Sequence, residues 1–444
     1  MPRIRELGIY QSALPTGARN AISDVAGVAV GHFTLVVGEG TPDPDWQPGH
    51  GPYRTGVTLI LPHGGNPYAE PVVAAVHTIN GFGKPIGFEQ VRELGLLETP
   101  IALTGTLNGP RVADALITLA IEQNPHIGVG FAASGWRGFA SVNPLVGETN
   151  DGYLSDLQGR PIGLAEVRAA LAAASAEVVE GAVGAGTGTS CYGWKGGIGT
   201  ASRILEEGSR GQVPGAREEK RDAEKRGEKT RRDAEEETPI SSSASLFPGP
   251  WPLEPGPSLP GYTVGALVQT NMGRAEELTI GGVPVGRRLE EGARGQVPGS
   301  REERSSPGPW PLEPGPSLPG GSIMIVLATD APLDSRGLGR LAARAVFGLA
   351  RTGTPGHGGS GDFVIAFSTA TRNQVSSEKL GFYETLHEQP LMDLFALAVV
   401  ECVEEAIYNS LLMAHTTIGR HGHVRHALPA DEVARLVQGL GIRD

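Results

Sequence analysis

The chain is poor in cysteine and has no excess of positive charge. Only two of its 444 residues are cysteines, Cys191 and Cys402. This number excludes a disulfide framework and a zinc site made of four thiolates. The formal net charge of −12 argues against nucleic acid or an anionic membrane as a partner, because both require a basic protein surface.

The chain also lacks a long, uninterrupted apolar run. Its most apolar stretch, residues 391–414, is interrupted by Asp393, Glu401, Glu404 and Glu405, which argues against a membrane span. The opening residues, MPRIRELG, have no apolar core of the length found in signal peptides. We therefore expect a soluble, cytoplasmic protein with no membrane partner.

Two strings that cannot build a hydrophobic core occur twice. EEGSRGQVPGAREE at 206–219 returns as EEGARGQVPGSREE at 290–303, and PGPWPLEPGPSLPG at 248–261 returns unchanged at 307–320. The first string is too polar to pack, and the prolines of the second remove backbone donors and enforce an extended backbone. We interpret 205–261 and 289–319 as two low-complexity surface insertions in a single domain that spans 1–444.

Outside the insertions, short apolar segments alternate with amphipathic ones. Strands are predicted at 56–62, 127–132, 323–329 and 363–368. Helices are predicted at 89–97, 111–123, 164–180, 338–351, 391–414 and 431–440. Such alternation is typical of a layered α/β domain in which helices cover buried sheet.

The sequence GGS at 320–322 lies where a Pro/Gly-rich linker meets a predicted strand. A serine released there as a new N-terminus would carry its own base, because a free α-amino group titrates near about pH 7.7–8.0 and lies within reach of its own hydroxyl. Gly321 tolerates distortion and leaves its carbonyl unshielded. Ser322 is therefore a candidate nucleophile and the Gly321–Ser322 bond a candidate site of self-cleavage. The local alternative is a serine in an ordinary loop.

A second candidate cluster is GHGGSGD at 356–362, directly before a predicted strand. Ser360 and Asp362 are two residues apart, so in an extended backbone they project from the same face. A hydroxyl and a carboxylate together can hold an α-ammonium group and tune its proton affinity. The alternative is a glycine-rich turn closed by the aspartate side chain.

Two further polar residues suit a hydrolytic site. Asn271 follows the apolar segment 262–268, and an amide donor at a strand end suits an oxyanion hole, where one donor contributes about 3–4 kcal/mol. Asparagine is equally common in turns. Glu148, in GETNDGY at 147–153, is an acceptor suited to the ammonium group of a substrate, and the alternative is a solvated loop charge.

Three other patterns indicate chemistry less strongly. The glycine-rich run at 184–199 lacks the Gly-Lys-Ser/Thr ending of a phosphate-binding loop. Cys191, within this run, is either a thiol nucleophile or a small buried apolar residue. His421, His423 and His426 have no acidic or cysteine partner that would complete a metal site. We expect these histidines to form a surface loop and expect no bound metal.

The segments that carry these candidates occur in the order found in one enzyme family. They are NAISDVAGVAVGH at 20–32, EQVRELGLLETP at 89–100, GETNDGYLSD at 147–156, GAGTG at 184–188, KGGIGTASR at 195–203, YTVGALVQTN at 262–271, GSIMIVLATDAPL at 321–333 and GSGD at 359–362. In these segments the chain resembles the DmpA-like L-aminopeptidase/D-esterase family of self-processing hydrolases, which includes the β-peptidyl aminopeptidases. The resemblance covers nearly the whole chain outside the two insertions.

The resemblance implies an αββα sandwich that cuts itself into chains 1–321 and 322–444. It implies that these processed heterodimers assemble into a homo-oligomer. It also implies that the enzyme uses no cofactor and releases N-terminal residues from peptides, amino-acid amides or esters.

The resemblance assigns roles by position. Ser322 matches the nucleophile, Ser360 and Asp362 match the pair that orders its amino group, and Asn271 matches the oxyanion donor. Glu148 matches the residue that receives the substrate's amino group. It assigns no role to the neighbouring Asn150 and Tyr153.

The leading hypothesis is therefore an autoprocessed serine aminopeptidase that works through an acyl-enzyme. One alternative is an unprocessed, inactive homologue that binds amines or partners, because the second insertion ends directly at the scissile bond. The other is an acyltransferase of similar mechanism.

Overall fold

The computed structural model describes residues 1–41, 44–129, 141–206, 261–295, 321–372 and 389–439. The helices in these ranges are α1 (Phe88–Leu94), α2 (Gly109–Gln123), α3 (Leu164–Ala172), α4 (Val285–Gly295), α5 (Ser335–Ala342), α6 (Ala345–Arg351), α7 (Gln389–Leu412) and α8 (Ala430–Gly439). The strands are β1 (Ala29–Val37), β2 (Tyr53–Leu61), β3 (Val72–Gly81), β4 (Leu96–Leu97), β5 (Ile101–Gly105), β6 (Leu145–Thr149), β7 (Ser190–Cys191), β8 (Trp194–Lys195), β9 (Ile198–Leu205), β10 (Tyr262–Asn271), β11 (Ser322–Thr329), β12 (Gly361–Arg372), β13 (Thr417–Ile418) and β14 (Val424–Arg425).

The larger sheet has six strands in the order β4-β3-β12-β11-β10-β9. Its central strand β11 runs parallel to β12 and antiparallel to β10. All eight residues of β11 are buried. The segment SIMIVLAT is apolar on both faces, because Ile323 and Ile325 pack with the helix layer while Met324 and Val326 pack towards the second sheet. Such two-sided burial is typical of a central strand covered on both faces.

The second sheet has four strands in the order β1-β2-β5-β6. Its outer face contacts α2 and α3, with Val57 and Leu59 of β2 packing among Val112, Leu116 and Val167. Its inner face packs against the larger sheet, whose outer face is covered by α5, α6 and α7. The layers are thus helix, sheet, sheet and helix, and the predicted α/β, layered αββα sandwich is confirmed.

Helix α7 carries the acidic residues that interrupt the most apolar stretch of the sequence. Arg203 of β9 reaches the carboxylates of Glu401 and Glu405, with nitrogen–oxygen distances of 2.8 and 2.7 Å. These charges are buried and paired, as buried charges must be to offset their desolvation. Within the described ranges, no helix combines the length and the apolar character needed to cross a membrane.

The predicted helices are present, with differences in extent. α1 ends at Leu94 because Gly95 adopts a left-handed backbone (φ 67°) and closes the helix. α3 ends at Ala172 rather than at 180, since the chain leaves the helix for Ser175 to pair with Val30 of β1. The predicted helix 338–351 is divided into α5 and α6.

The strand predicted at 127–132 is wrong where the structure describes it. Residues 125–128 form a turn, in which the N–H of Ile127 donates to the carbonyl of Asn124 at 3.0 Å. Residues 130–132 lie outside the described residues. The strand was predicted here from apolar content alone, and apolar content does not distinguish a short strand from a buried turn.

Most of the two expected insertions, 205–261 and 289–319, lies outside the described residues. At the borders, Leu205 is the last residue of β9, and residues 289–295 belong to α4. Leu289 packs partly buried against the helix-layer core. Regular structure therefore extends slightly into both ranges, and the division of the chain into one domain with two insertions stays a prediction.

Candidate active site

The site is built around the first residue of β11, Ser322. Its partner across the sheet is Asn271, the last residue of β10. Directly opposed residues of antiparallel strands project from the same face. The two polar residues are 9% and 8% exposed, so strand register brings them together at a nearly buried sheet end.

The loop that leads into β12 lies on the other side of Ser322. β12 runs parallel to β11, with Asp362 paired with Ile323. The hydroxyl oxygen of Ser360 lies 2.5 Å from Oδ1 of Asp362 and also contacts the carbonyl oxygen of Gly321. The backbone N–H of Gly361 donates to Oγ of Ser322 at 3.2 Å. Residues of one loop thus contact both the carbonyl and the hydroxyl that flank the Gly321–Ser322 bond.

Asp362 is buried, and its environment changes its acidity. Burial raises the pKa of this carboxyl group to about 6, because the charged form loses its hydration. The hydrogen bond from Ser360, a backbone N–H of Ile323 and the charge of His357 act in the opposite direction and lower the pKa. The carboxyl group therefore titrates much closer to neutrality than an exposed aspartate does.

The amide of Asn271 is oriented from both ends. Its Oδ1 accepts the backbone N–H of Ser190 at 2.9 Å, and its Nδ2 donates to the backbone carbonyl of Asn150 at 2.8 Å. An amide nitrogen carries two hydrogens, and the bond to Asn150 uses one of them, while Nδ2 itself lies next to Gly321, 3.2 Å from the position of an added Cβ. Asn150, to which the sequence assigned no role, thus contributes its main chain to holding Asn271.

Gly321 lies against the main chain of Asn271. A Cβ added at Gly321 would lie 1.6 Å from the carbonyl oxygen of Asn271 and 3.2 Å from its Nδ2. The 1.6 Å separation from the carbonyl oxygen leaves no room for a side chain, because real Cβ contacts are longer than about 3 Å. Glycine is required here by this close backbone approach.

Glu148, near the end of β6, lies beside the same site and is 5% exposed. Its Oε1 accepts the backbone N–H of Lys84 at 2.8 Å. The turn that carries Lys84 also reaches Gly361, since a Cβ there would lie 2.6 Å from the carbonyl oxygen of Phe82. One turn therefore links the acidic residue to the loop that contacts Ser322.

The weaker patterns of the sequence have structural explanations. Burial raises the pKa of Cys191 to about 12, so this thiol is not a ready nucleophile. In the glycine-rich run at 184–199, the ammonium of Lys195 donates to the carbonyls of Gly186 and Gly196 at 2.8 and 2.6 Å. Hydrogen bonds from its own lysine thus join two parts of the run.

The histidines near the C-terminal end pack with aromatic residues. The ring of His423 stacks on that of Tyr153, with centroids 4.5 Å apart. The guanidinium carbon of Arg425 lies over the face of the same tyrosine ring, 3.6 Å from its centroid. In the described part of the chain, no cluster of three histidine, cysteine or acidic side chains suited to a metal ion occurs.

Several contributions to the site were not predicted from the sequence. Ser190 and Gly361 act through backbone N–H groups, and Asn150 acts through its carbonyl. Every residue type carries these groups, so residue identity contained no signal for them. Lys84 gave no signal either, because it lies in no motif and reaches Glu148 only through the fold.

Comparisons with known proteins agree with this architecture. The profile of peptidase family S58 matches residues 20–216 and 252–425. The β-peptidyl aminopeptidase BapA of Sphingosinicella microcystinivorans is 35% identical over 439 residues, which cover 98% of this chain and 92% of that protein. The BapA of Sphingosinicella xenopeptidilytica is 34% identical, with 98% and 91% coverage.

Solved structures are similar over the whole chain. A protein from Pyrococcus horikoshii is 40% identical with a TM-score of 0.76 and 99% coverage of both chains. A Burkholderia β-aminopeptidase is 33% identical with a TM-score of 0.72 and full coverage of both chains. The L-aminopeptidase D-Ala-esterase/amidase of Ochrobactrum anthropi, described as a prototype serine aminopeptidase with a variant of the Ntn-hydrolase fold, is 32% identical with a TM-score of 0.73 and 99% coverage of both.

The resemblance found in the sequence is therefore confirmed. The protein is an aminopeptidase of the Ntn-hydrolase type. Because the family profile matches most of its residues and a relative is 35% identical over nearly its full length, the chain belongs to peptidase family S58.

Proposed function

We propose that the protein cuts its own chain between Gly321 and Ser322 and then works as an aminopeptidase with Ser322 as its N-terminal nucleophile. One observation supports this most directly. Adjacent residues of one loop contact both reacting groups of that bond, Ser360 the carbonyl oxygen and Gly361 the serine Oγ. Ser360 thus places a hydroxyl at the oxygen that gains negative charge, and Gly361 fixes the position of the attacking oxygen.

In the first step, Oγ of Ser322 attacks the carbonyl carbon of Gly321, and the peptide C–N bond breaks. The hydroxyl proton ends on the nitrogen of Ser322, so an ester now joins Gly321 to Oγ. As negative charge develops on the carbonyl oxygen, the hydroxyl of Ser360 turns its single hydrogen from Asp362 to that oxygen, which it already contacts. Water then hydrolyses the ester, which leaves Gly321 as a carboxylate and Ser322 with a free amine and a free hydroxyl.

In turnover, the free amine takes the proton from Oγ as Oγ attacks the carbonyl carbon of a substrate. The second N–H of Asn271 stabilises the oxyanion, and the proton passes to the leaving amine or alcohol. Water hydrolyses the resulting acyl-enzyme, with the same amine as base. The Ser360–Asp362 pair holds the amine in place and accepts hydrogen bonds from its charged form.

Glu148 receives the ammonium group of the substrate, which limits the reaction to N-terminal residues. The substrates are peptides, amino-acid amides or esters, as the names of the β-peptidyl aminopeptidase and L-aminopeptidase D-Ala-esterase relatives support. Two parts of the proposal depend on the sequence alone: a homo-oligomer of processed heterodimers and a cytoplasmic location.

Denaturing electrophoresis with N-terminal sequencing tests the proposal. Cleavage yields fragments of 321 and 123 residues, the smaller beginning Ser-Ile-Met. Ser322→Ala leaves one intact chain without hydrolytic activity, and hydrolysis retained by that variant would exclude Ser322 as nucleophile. A wild-type chain that stays intact and inactive indicates a binding protein, and acyl transfer to an added amine that exceeds hydrolysis indicates an acyltransferase.

A further inference from the structure

The loop at 356–361, which carries Ser360, is bonded to the rest of the protein on two opposite sides. On one side, Nδ2 of Asn80 in β3 lies 3.1 Å from the carbonyl oxygen of His357 and 3.2 Å from that of Gly358, and it also contacts the carbonyl of Ser360. On the other side, Nε2 of His357 lies 2.8 and 3.1 Å from the carboxylate oxygens of Glu277.

The composition of the loop does little to restrict its backbone. Four of the six residues in GHGGSG are glycine, and glycine loses more conformational freedom on ordering than any other residue. At Gly358, even an added Cβ would meet no atom within 4 Å. Inside the loop, the N–H of Ser360 donates to the carbonyl of His357 at 2.9 Å. The carbonyl oxygen of His357 therefore accepts hydrogen bonds both from the N–H of Ser360 and from the side chain of Asn80.

The anchor on the Glu277 side is itself well fixed. Glu277 follows β10 closely, and its carboxylate accepts the backbone N–H of Arg274 at 2.9 Å. Two residues later, the N–H of Thr279 donates to the carbonyl of Thr352 at 2.9 Å, just before the loop. The segment that follows Asn271 thus also holds the loop of Ser360, and this ties the oxyanion donor to the opposite wall of the site.

The Gly321–Ser322 bond divides these contacts between two parts of the chain. Asn80 and Glu277 precede the bond, whereas His357 and Ser360 follow it. We propose that Asn80 and the Glu277–His357 pair are positioning residues that hold Ser360 and Gly361 over the reacting atoms, first within the intact chain and then between its two fragments. The role in catalysis rests on the proposed self-cleavage, but the ordering of the loop does not.

Two variants test the role in catalysis. Asn80→Asp keeps the shape of the side chain but replaces its donor by a charged acceptor that the carbonyl oxygens of the loop repel, and His357→Ala removes the contact with Glu277. We expect either change to slow self-cleavage and to lower kcat by roughly 10- to 100-fold, since misplacing reacting groups by about 1 Å has effects of this size. KM should change less than threefold, because neither change removes the N–H of Lys84 that holds Glu148.

The conservative variant His357→Gln separates positioning from a merely structural role. Its amide nitrogen can donate to Glu277, so it should recover most of the kcat lost in His357→Ala. The double variant Glu277→Ala/His357→Ala should be no slower than either single variant, because both remove one contact. His126→Ala, which changes an exposed histidine outside the loop, is the matched control and should behave as wild type.

A second measurement does not require the protein to be an enzyme. In the uncleavable Ser322→Ala background, amide hydrogen exchange of a peptide covering 354–362 reports on loop order. We expect Asn80→Asp and His357→Ala to raise exchange in this peptide at least about tenfold while exchange in β11 stays unchanged. Unchanged exchange in 354–362 overturns the proposed anchoring, even in a protein that cleaves itself. Faster exchange without any wild-type cleavage leaves the anchoring intact and overturns the proposed function.

Discussion

The ammonium nitrogen of Lys84 lies 3.7 Å from Oε1 of Glu148, the same oxygen that accepts the backbone N–H of Lys84. It also donates to Oγ1 of Thr106 at 2.7 Å. The side chain of Lys84 is 61% exposed, whereas Glu148 is nearly buried. The acidic group that we expect to receive a substrate ammonium therefore already has an ammonium of the protein beside it.

Lys84→Met should lower KM for amino-acid amides about two- to fivefold with kcat nearly unchanged. Removing the internal cation leaves Glu148 more attractive to the substrate ammonium, and an exposed ion pair contributes about 0.2–1 kcal/mol. Steady-state kinetics measure this, and Lys84→Arg is the charge-retaining control. A higher KM in Lys84→Met would mean that the lysine itself contacts the substrate.

Glu148→Gln provides the complementary change. We expect KM to rise by about 30-fold or more, because a substrate ammonium would lose a nearly buried charged partner, an effect of about 2–5 kcal/mol. Self-cleavage involves no substrate amine and should proceed at the wild-type rate. Loss of self-cleavage in this variant would argue that Glu148 supports the site structurally.

Gly321→Ala should leave most of the chain uncleaved, with self-cleavage slowed by roughly 100-fold or more. The added methyl group would collide with the carbonyl oxygen of Asn271, at 1.6 Å, and would push the scissile carbonyl away from Ser360. The intact fraction on a denaturing gel measures the effect. Gly64→Ala is the matched control, since a Cβ at Gly64 has no atom within 4 Å, and cleavage as efficient as in this control would contradict the prediction.

Asp362→Asn should reduce kcat about 10- to 100-fold and move the acidic limb of the pH–rate profile to lower pH. The pKa of Asp362 is about 6, so near pH 7 it is mainly ionised. A carboxylate raises the pKa of a neighbouring ammonium, and the neutral amide does not. The α-amine of Ser322 in the variant should therefore stay unprotonated, and able to act as base, to lower pH.

Measurements of kcat from about pH 5 to 9 test this shift, which belongs to the coupled amine and carboxylate rather than to one group. Asp330→Asn is the control. Burial raises the pKa of Asp330 as well, but this residue follows the opposite end of β11. An acidic limb that stays in place in Asp362→Asn would reduce Asp362 to a structural residue.

Replacing residues 207–260 by Asn-Gly should preserve folding, self-cleavage and activity. Leu205 and Tyr262 are direct partners in the antiparallel pair of β9 and β10, so a short hairpin turn can join them. Closing a shorter loop costs less entropy, by about 0.6 kcal/mol per halving of its length. Thermal unfolding and size-exclusion chromatography provide the test, and an insoluble or dissociated product would show that the first insertion packs against the protein.

Part of the arrangement of the candidate site could be predicted from the sequence because its signals are local. The period of two residues in an extended chain places Ser360 and Asp362 on one face. In the structure, the hydroxyl oxygen of Ser360 lies 2.5 Å from Oδ1 of Asp362. The apolar segment 323–329 indicated a buried strand, and β11 is buried along its whole length. Local signals also misplaced one helix end. The apolar pattern predicted a helix to residue 97, but the left-handed backbone of Gly95 ends it at Leu94.

What the sequence by itself determined is the set of chemical groups: a serine after glycine at the start of a buried strand, a Ser-x-Asp pair, an asparagine and a glutamate in family motifs. Only the tertiary structure decided how they meet. Asn271 faces Ser322 through the register of β10 against β11, two strands separated by an expected insertion. Register depends on the packing of both sheets and their helices together, and the decisive contacts of Ser190, Gly361 and Asn150 use backbone groups that every residue shares.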